Sequence, residues 1–190
     1  MNIAQLVRTT RTCRRFRQDQ GITDDTLRGL IDLARLGGSA KNLQPLKYLI
    51  SNTPEQNQAI FPHLGWAGYL PEWPGPKEGE RPAAYIVCLL DTRIATEADC
   101  DLGIASQNIL LGAKECGLGG CRIGSIPTKL HQILNLADHL QILLVIAMGA
   151  PKETVVIEEA GPDDDIRYWH SPDQNHHVPK RRLADIIIER

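Results

Sequence analysis

The sequence of 190 residues lacks an apolar run of about 18 residues, the length that a membrane-spanning helix requires. It also lacks an excess of either charge, because 21 Lys and Arg residues stand against 23 Asp and Glu residues, a formal net charge of −2. A general nucleic-acid binder carries a clear basic excess, so this balance argues against that class. Apolar residues make up 42% and charged residues 23% of the chain, which is ordinary globular usage and excludes extensive intrinsic disorder.

The five cysteines are odd in number and include no C-x-x-C pair. This pattern indicates free thiols in a reducing compartment rather than a disulfide framework, and we therefore expect a cytoplasmic protein. No apolar segment follows the first basic residues, so no secretory signal is expected. An arginine-rich, acid-poor start is also typical of a transit peptide, but here it runs into a predicted helix without a linker.

Acidic residues are absent before Asp19, whereas five arginines lie between Arg8 and Arg17. One interpretation is a solvated helix face. The other follows from electrostatics, because neighbouring guanidinium groups repel one another unless an anion lies among them, and arginine beside a threonine hydroxyl suits a phosphate. A second basic cluster, Lys180-Arg181-Arg182, lies near the other end of the chain. We expect both clusters to serve one phosphate.

The hydrophobic pattern predicts an α+β fold, with helices around a small sheet. Nearly continuous apolar runs over residues 83–91 and 142–149 are typical of buried central strands, and residues 46–51 form a third predicted strand. Predicted helices cover residues 2–9, a segment capped by Thr23 and ended by Gly37-Gly38, residues 96–118 with a capping box at Thr96 and Asp99, and a short segment after Pro127. Residues 151–177 are polar and are predicted to be irregular. Strands and helices do not alternate regularly, which favours α+β, and we expect a single domain over residues 1–190.

Residues 61–82 form a predicted long loop that holds two tryptophans and five prolines. Long loops in compact domains are often lids or binding loops. A surface excursion that packs its aromatic side chains inwards fits the same composition equally well.

The glycine cluster over residues 117–125 fails two phosphate-binding patterns. A dinucleotide fingerprint needs a preceding strand and G-x-G-x-x-G spacing, whereas a helix precedes this cluster and Arg122 occupies the third glycine position. A P-loop needs Gly-Lys-Ser/Thr, and Gly124-Ser125 lacks the lysine. The cluster is therefore either a helix end with a turn, or a segment whose backbone amides approach a flat ligand closely.

No side-chain pattern points to a metal site or to a catalytic residue. His170, His176 and His177 match no zinc-ligand spacing and have no cysteine nearby, so we interpret them as part of a solvated tail. No paired catalytic carboxylates, G-x-S-x-G elbow or Cys/His nucleophile stands out.

Five segments form an ordered set of motifs along nearly the whole chain. They are Arg11-Thr12-Cys13-Arg14-Arg15-Phe16; Ser39-Ala-Lys-Asn42-Leu-Gln44-Pro45; Asp101-Leu-Gly-Ile-Ala105-Ser-Gln107-Asn108 with the following Gly117-Leu-Gly-Gly-Cys-Arg-Ile123-Gly124; Met148-Gly149-Ala150-Pro151; and Val178-Pro179-Lys180-Arg181-Arg182-Leu183. Together they resemble the flavin-dependent nitroreductase family, with its R-S-x-R-x-F opening, S-x-x-N-x-Q-P-W segment, central helix with G-L-G-x-x-x-I-G turn, G-x-P and C-terminal P-K-x-R. Thr12 replaces the family's serine, Leu46 replaces its tryptophan, and Thr10 stands where a basic residue is frequent.

The resemblance implies a nitroreductase-like α+β sandwich that forms an intertwined homodimer, with FMN at the dimer interface. Carried over by position, the resemblance implies that Arg11, Thr12 and Arg14 hold the phosphate and the polar edge of the flavin, and that Lys180 and Arg182 complete the phosphate site. The residues implied at the ring system, partly across the interface, are Ser39, Lys41, Asn42 and Gln44. The backbone around Ile123 and Gly124 is implied near flavin N5. The C-terminal segment, residues 178–190, contributes the second phosphate cluster.

The implied activity is hydride transfer from NADH or NADPH to flavin N5, followed by reduction of a small aromatic, nitro or quinone-type acceptor in a ping-pong sequence. Arg14 is the candidate for the positive charge that stabilises reduced flavin. Trp66, Tyr69 and Trp73 of the loop are candidate walls of the substrate side. A flavin- or nucleotide-binding sensor without turnover, another flavin reaction on the same fold, and a dimer that has lost its cofactor are the alternatives. Neither a nucleic acid nor a membrane is an expected partner.

Overall fold

The structure is a computed structural model that describes residues 1–189. The helices are α1 (Ile3–Thr9), α2 (Asp24–Arg35), α3 (Pro54–Ile60), α4 (Asp99–Glu115) and α5 (Lys129–Ile133). The strands are β1 (Phe16–Arg17), β2 (Leu46–Ser51), β3 (Ala84–Asp91), β4 (Gly119–Ile123), β5 (Leu140–Pro151), β6 (Val155–Ala160), β7 (Trp169–His170) and β8 (His176–Arg181). Within the described residues, none of the helices is long and apolar enough to cross a bilayer.

The larger sheet is antiparallel and has five strands, in the order β1-β5-β3-β2, with β4 also paired to β5. Gly119 of β4 lies opposite Gly149 of β5, and β1 pairs with the next two residues of the same strand. A backbone bridge also joins Thr12 to Gly120. The arginine-rich segment and the glycine cluster therefore meet along one stretch of β5.

β3 is buried along its whole length because side chains alternate between the two faces of the sheet and both faces are covered. On one face, Ile86 joins a core that includes Leu30 of α2 and Ile109 of α4. On the other face, Val87 joins a second core with Ile60 of α3. Helices thus pack against both faces of the sheet, which confirms the predicted α+β fold.

α2 shows how far local signals determine an element. The Thr23 hydroxyl accepts a hydrogen bond from the Thr26 backbone N–H, while Asp24 and Asp25 lie in the positive first turn. The prediction of this helix and its cap is confirmed, as are α1, β2 and α5.

The predicted bounds of α4 are too wide at both ends. Its N-cap is Ala98 and no side chain caps it, so the capping box predicted at Thr96 and Asp99 does not form. At the other end Gly117 adopts φ +76°, a left-handed conformation that favours glycine and ends the helix. The residues that follow, Gly119–Ile123, form β4, so the glycine cluster is a helix end followed by a strand.

The prediction of an irregular segment over residues 151–177 is wrong. These residues supply most of a second sheet with the order β6-β8-β7, in which β6 and β8 are parallel and β7 and β8 antiparallel. β6 and β8 have mixed polar and apolar residues because the sheet is partly exposed, so neither strand has a continuous apolar run. The segment around His176 is correspondingly not a solvated tail, since that residue is 1% exposed.

Candidate functional site

The arginine-rich segment borders a cavity of about 520 Å³, here called the arginine cavity. It is enclosed by the ends of α1 and α4, the start of β4 and the start of β6, and its charged lining residues are Arg8, Arg11, Lys114 and Glu153. Three cations against one carboxylate give the cavity a local positive charge that the net charge of the whole chain conceals. Such a cavity is suited to an anion.

Arg11 is the lining residue best placed to bind an anion. Its Nη2 donates to the carbonyl oxygen of Val7 at 2.7 Å, which anchors the guanidinium at the end of α1. Its Nε is buried and has no hydrogen-bond partner among residues 1–189. A buried donor without an acceptor is costly, and a phosphate oxygen would satisfy it.

Glu153 faces the same cavity but is engaged by the backbone. Its Oε1 accepts hydrogen bonds from the backbone N–H groups of Arg14 and of Arg15, the latter at 3.3 Å. These bonds disperse the carboxylate charge and fix the course of the arginine-rich segment. Cys13 also lines the cavity, and burial, with a smaller contribution from Glu153, raises the pKa of its thiol, so it stays protonated and is a poor nucleophile.

Arg15 has a different partner, which the sequence did not reveal. Its Nε and Nη2 donate to the two carboxylate oxygens of Glu80 at 3.0 and 3.1 Å, and Lys152 Nζ lies 3.3 Å from the same carboxylate. Glu80 is 5% exposed. Arg15 of the first basic cluster therefore has an acidic partner within the chain, while Arg11 and Arg14 form no ion pair within residues 1–189.

The segment from Ser39 to Gln44 has an unusual backbone. Lys41, Asn42 and Gln44 have φ values of 51°, 56° and 53°, in the left-handed region that costs energy for residues other than glycine. The Ser39 hydroxyl stabilises this turn by donating to Asp101 and accepting from the Gln44 backbone N–H. Strained backbone of this kind clusters at binding and active sites, and its presence here supports a functional role for the segment.

Ser39 and Gln44 line a second and larger cavity of about 810 Å³ between α2, β2 and the start of α4, here called the Ser39 cavity. Lys41 and Asn42 are exposed beside it. Ser39 bonds Asp101 in the first turn of α4, whereas Lys114 in the last turn lines the arginine cavity. Ala105 of α4 also lines the Ser39 cavity and Leu110 the arginine cavity, so the two cavities border successive parts of α4 and share no lining residue.

Arg14 lines neither cavity, and its side chain contacts the second sheet. Its Nη1 lies 3.2 Å from Nε2 of His176, and its guanidinium carbon lies 4.6 Å from the centre of the Tyr168 ring. The N-terminal segment and the second sheet are thus joined through this side chain.

The remaining predicted cofactor residues occupy separate places. Ile123 is the buried last residue of β4, and Gly124 follows it in an exposed position. Lys180 is exposed on β8, with its Cα opposite that of Glu159, and Arg182 donates to Asp185 at 3.0 Å. Neither basic residue lines the arginine cavity, although β6, the strand beside β8, does.

The three aromatic residues predicted to border the substrate, Trp66, Tyr69 and Trp73, have different surroundings. Trp66 packs against Phe61 with ring centres 5.8 Å apart, and against Gly75, where a side chain would overlap the indole. Tyr69 is 52% exposed and lies 5.0 Å from Tyr168, while Trp73 meets His170 edge-on at 6.1 Å. Trp66 therefore packs within the loop, whereas Tyr69 and Trp73 lie where the loop meets the segment that leads into the second sheet.

Sequence reasoning missed Glu80, Glu153, Tyr168 and His176, which organise the arginine-rich segment. The only indication in the sequence was that clustered arginines require anionic partners, and Glu80 is one such partner. Among residues 1–189, no group of His, Cys, Asp and Glu side chains is arranged to hold a metal ion.

Comparison with known proteins matches residues 7–150 to the model of the nitroreductase family. A protein of Methanothermobacter thermautotrophicus with the provisional name NADH dehydrogenase/NAD(P)H nitroreductase is 27% identical over 160 residues, covering 80% of this chain and 79% of that protein. A protein of Archaeoglobus fulgidus with the same provisional name is 26% identical over 175 residues, covering 88% and 92%.

Two solved structures share the fold. A crystal structure from Desulfovibrio desulfuricans, provisionally described as a nitroreductase in complex with FMN, has a TM-score of 0.73 at 22% identity and covers 100% of this chain and 98% of its own. A nitroreductase family protein from Clostridium difficile 630 has a TM-score of 0.66 at 18% identity, with coverages of 80% and 86%. Because the family model spans three quarters of the sequence, the chain belongs to the nitroreductase family.

Proposed function

We propose that this chain is an FMN-dependent NAD(P)H oxidoreductase that acts as a homodimer on small aromatic, nitro or quinone-type acceptors. The unpartnered Nε of Arg11 in a positively charged cavity is the observation that carries the proposal, because it is the feature an FMN phosphate would satisfy. The FMN complex of the Desulfovibrio desulfuricans structure and the names of the two archaeal relatives support the same cofactor and hydride donors.

A homodimer is supported by the separation of the two cavities. Arg11 lines one cavity, Ser39 and Gln44 line the other, and the two share no lining residue, so a second protomer would bring its Ser39–Gln44 segment to the arginine cavity of the first. An exposed apolar strip is available for this contact, formed by Leu33, Leu36 and Ile104 on the packed helices α2 and α4. Burying these side chains would stabilise the dimer.

Bound FMN would supply the hydride chemistry, by accepting a hydride from NADH or NADPH and passing electrons to the acceptor. Arg11 would bind the phosphate in the arginine cavity. Thr12, Lys180 and Arg182 do not line that cavity and would approach the phosphate from its border. Arg14 would place a positive charge at the polar edge of the flavin. The backbone around Ile123 and Gly124 would donate toward N5, and Tyr69 and Trp73 would border the acceptor. Residues 1–190 act as one FMN-binding domain.

The proposed location is the cytoplasm, since all five cysteines in residues 1–189 are free thiols, as expected of a reducing compartment. A sensor that binds flavin without turnover is the second candidate, and the strained Ser39 segment would serve binding in either case.

Protein purified without added cofactor should be yellow and should release FMN on denaturation, in an amount that approaches one FMN per chain. Absorbance at the flavin bands, followed by chromatography of the released cofactor, measures this result. A colourless protein that also takes up no added FMN would contradict the proposal. Oxidation of NADH or NADPH in the presence of a quinone or nitroaromatic compound separates the enzyme from the sensor, which would bind FMN and show no turnover.

A further inference from the structure

We propose that His176 and Tyr168 are positioning residues, which hold the Arg14 guanidinium in one orientation toward the bound cofactor. The inference rests on the FMN-binding function proposed above and assigns a role to His176 of the second sheet and to Tyr168, which immediately precedes β7. Neither residue belongs to the motifs that identify the family in this sequence.

The two contacts restrain different movements of the guanidinium. The hydrogen bond between Arg14 Nη1 and His176 Nε2, at 3.2 Å, fixes the direction of one edge of the guanidinium within the guanidinium plane. The Tyr168 ring, with its centre 4.6 Å from the guanidinium carbon, covers one face and restrains tilting. Arg14 Nε and Nη2 have no hydrogen bond within residues 1–189, so these donors are left for a ligand.

The orientation of the His176 ring is itself well determined. The residue begins β8, is 1% exposed, and its backbone N–H donates to the Thr154 carbonyl at 2.8 Å. The rings of His170 and Tyr168 lie 5.0 and 5.2 Å from the His176 ring. A ring that is packed on several sides can hold its hydrogen-bond partner precisely in place.

The chemistry of the pair defines the tautomer. A guanidinium has only donors, so Nε2 of His176 must be unprotonated and must accept, which places the ring proton on Nδ1. Burial, and then the charge of Arg14, lowers the pKa of His176 to about 4, so the ring is neutral at neutral pH. Nδ1 is buried and has no partner among residues 1–189, which leaves Arg14 as the hydrogen-bonding partner of the ring.

A double-mutant cycle on FMN affinity tests the proposal. Arg14→Ala should weaken FMN binding by about 10-fold to 100-fold, the cost of a lost charge-assisted hydrogen bond. His176→Leu replaces the imidazole by an apolar side chain and so removes the hydrogen-bond acceptor for Arg14. It should weaken FMN binding by about tenfold in the natural chain, and by less than about twofold when Arg14 is already alanine. Fluorescence quenching of FMN at fixed ionic strength measures each dissociation constant. Equal losses in both backgrounds would overturn the proposal, because a merely structural His176 acts independently of Arg14.

Two pairs of variants, one at His176 and one at Tyr168, keep the test decisive if His176→Leu does not fold. His176→Gln can place an amide oxygen near the Nε2 position and should retain most of the affinity, whereas His176→Asn is too short and should lose it. Tyr168→Phe keeps the ring face and should bind FMN like the natural chain, whereas Tyr168→Leu should not. Equal affinities within each pair would contradict the assigned roles.

The tautomer of His176 gives a measurement that does not depend on FMN. Nitrogen-15 NMR of the ring should show Nδ1 protonated and Nε2 unprotonated in the natural chain, and a shift toward the Nε2–H form in Arg14→Ala. If the natural chain binds no FMN but shows this tautomer, the proposed function fails while the Arg14–His176 pairing stands. If FMN binds and the ring is protonated at Nε2, the positioning role fails and the proposed function stands.

Discussion

Arg11→Ala should weaken FMN binding by about 30-fold to 100-fold, equivalent to about 2–3 kcal/mol. The guanidinium is anchored by its bond to the Val7 carbonyl, so little conformational freedom is lost when it binds a phosphate. Removing it also lowers the local charge of the arginine cavity, where three cations face one carboxylate. Titration of the apoprotein with FMN, followed by fluorescence quenching at constant ionic strength, measures the change.

Arg17→Ala is the matched control for this experiment. Arg17 belongs to the same arginine-rich segment and carries the same charge, but it is exposed on β1 and does not line the arginine cavity. Its removal should change the dissociation constant by less than about twofold at moderate salt, because an exposed charge outside the cavity acts through solvent and is screened by salt. Similar losses in the two variants would mean that a diffuse field, and not the arginine cavity, attracts the phosphate.

The double variant Arg11→Ala with Lys180→Ala tests whether the second basic cluster, Lys180-Arg181-Arg182, reaches the same phosphate. We expect a further loss of affinity, because Lys180 lies on β8, next to the strand that closes the arginine cavity. A double variant that binds FMN as well as Arg11→Ala alone would remove Lys180 from the proposed site.

The parts of the fold that the sequence predicts correctly are those determined by neighbours in the chain. α2 follows from a capping threonine, an acidic first turn and an apolar stripe, all within a few turns of one helix. β3 follows from a continuous apolar run, because a strand covered on both faces must be apolar at every position. The second sheet could not be predicted in this way, since β6 and β8 are parallel strands whose stability comes from pairing across an intervening segment.

In the candidate site, too, the residues marked by local sequence could be predicted and their remote partners could not. Arg11 is recognisable from the absence of acidic residues around it, and the Ser39 segment from its motif. The partners that organise the arginine-rich segment are remote, with Glu80 65 residues from Arg15, and Glu153 139 and His176 162 residues from Arg14. Nothing local marks Glu80 as the anion for Arg15, since it lies within a loop of glycines, prolines and charged residues. Only the folded chain shows that part of the charge is internally compensated and that Arg11 and Arg14 form no ion pair within residues 1–189.

Glu80→Ala should lower the free energy of unfolding by about 3 kcal/mol. Its carboxylate receives two hydrogen bonds from Arg15 and an ion pair from Lys152, and the side chains of Glu80 and Arg15 are only 7% and 18% exposed. Truncation would leave the Arg15 guanidinium desolvated without its partner, which costs more than the pair itself contributes. Urea unfolding at pH 7 and constant protein concentration measures the difference.

Asp165→Ala is the control, because the Arg167–Asp165 ion pair has similar geometry at 2.7 Å but its side chains are 67% and 58% exposed. Exposed pairs contribute little, so this variant should unfold at nearly the urea concentration of the natural chain. Equal losses for Asp165→Ala and Glu80→Ala would show that burial does not strengthen the Glu80 interaction.

The effect of Glu80→Ala should also depend on pH in a defined direction. The hydrogen bonds from Arg15, opposed by partial burial and reinforced by Lys152, hold the pKa of Glu80 below its ordinary value of 4.5. The unfolded chain therefore takes up the proton at a higher pH than the folded chain, and the stability contributed by the carboxylate is fully present above about pH 4.5. It is lost as the pH falls through the lower folded-state pKa. The difference in unfolding free energy between the natural chain and Glu80→Ala should stay constant from pH 8 to 6 and narrow below pH 4.5, whereas a difference that persists unchanged to pH 3 would contradict the ion-pair origin of the stabilisation.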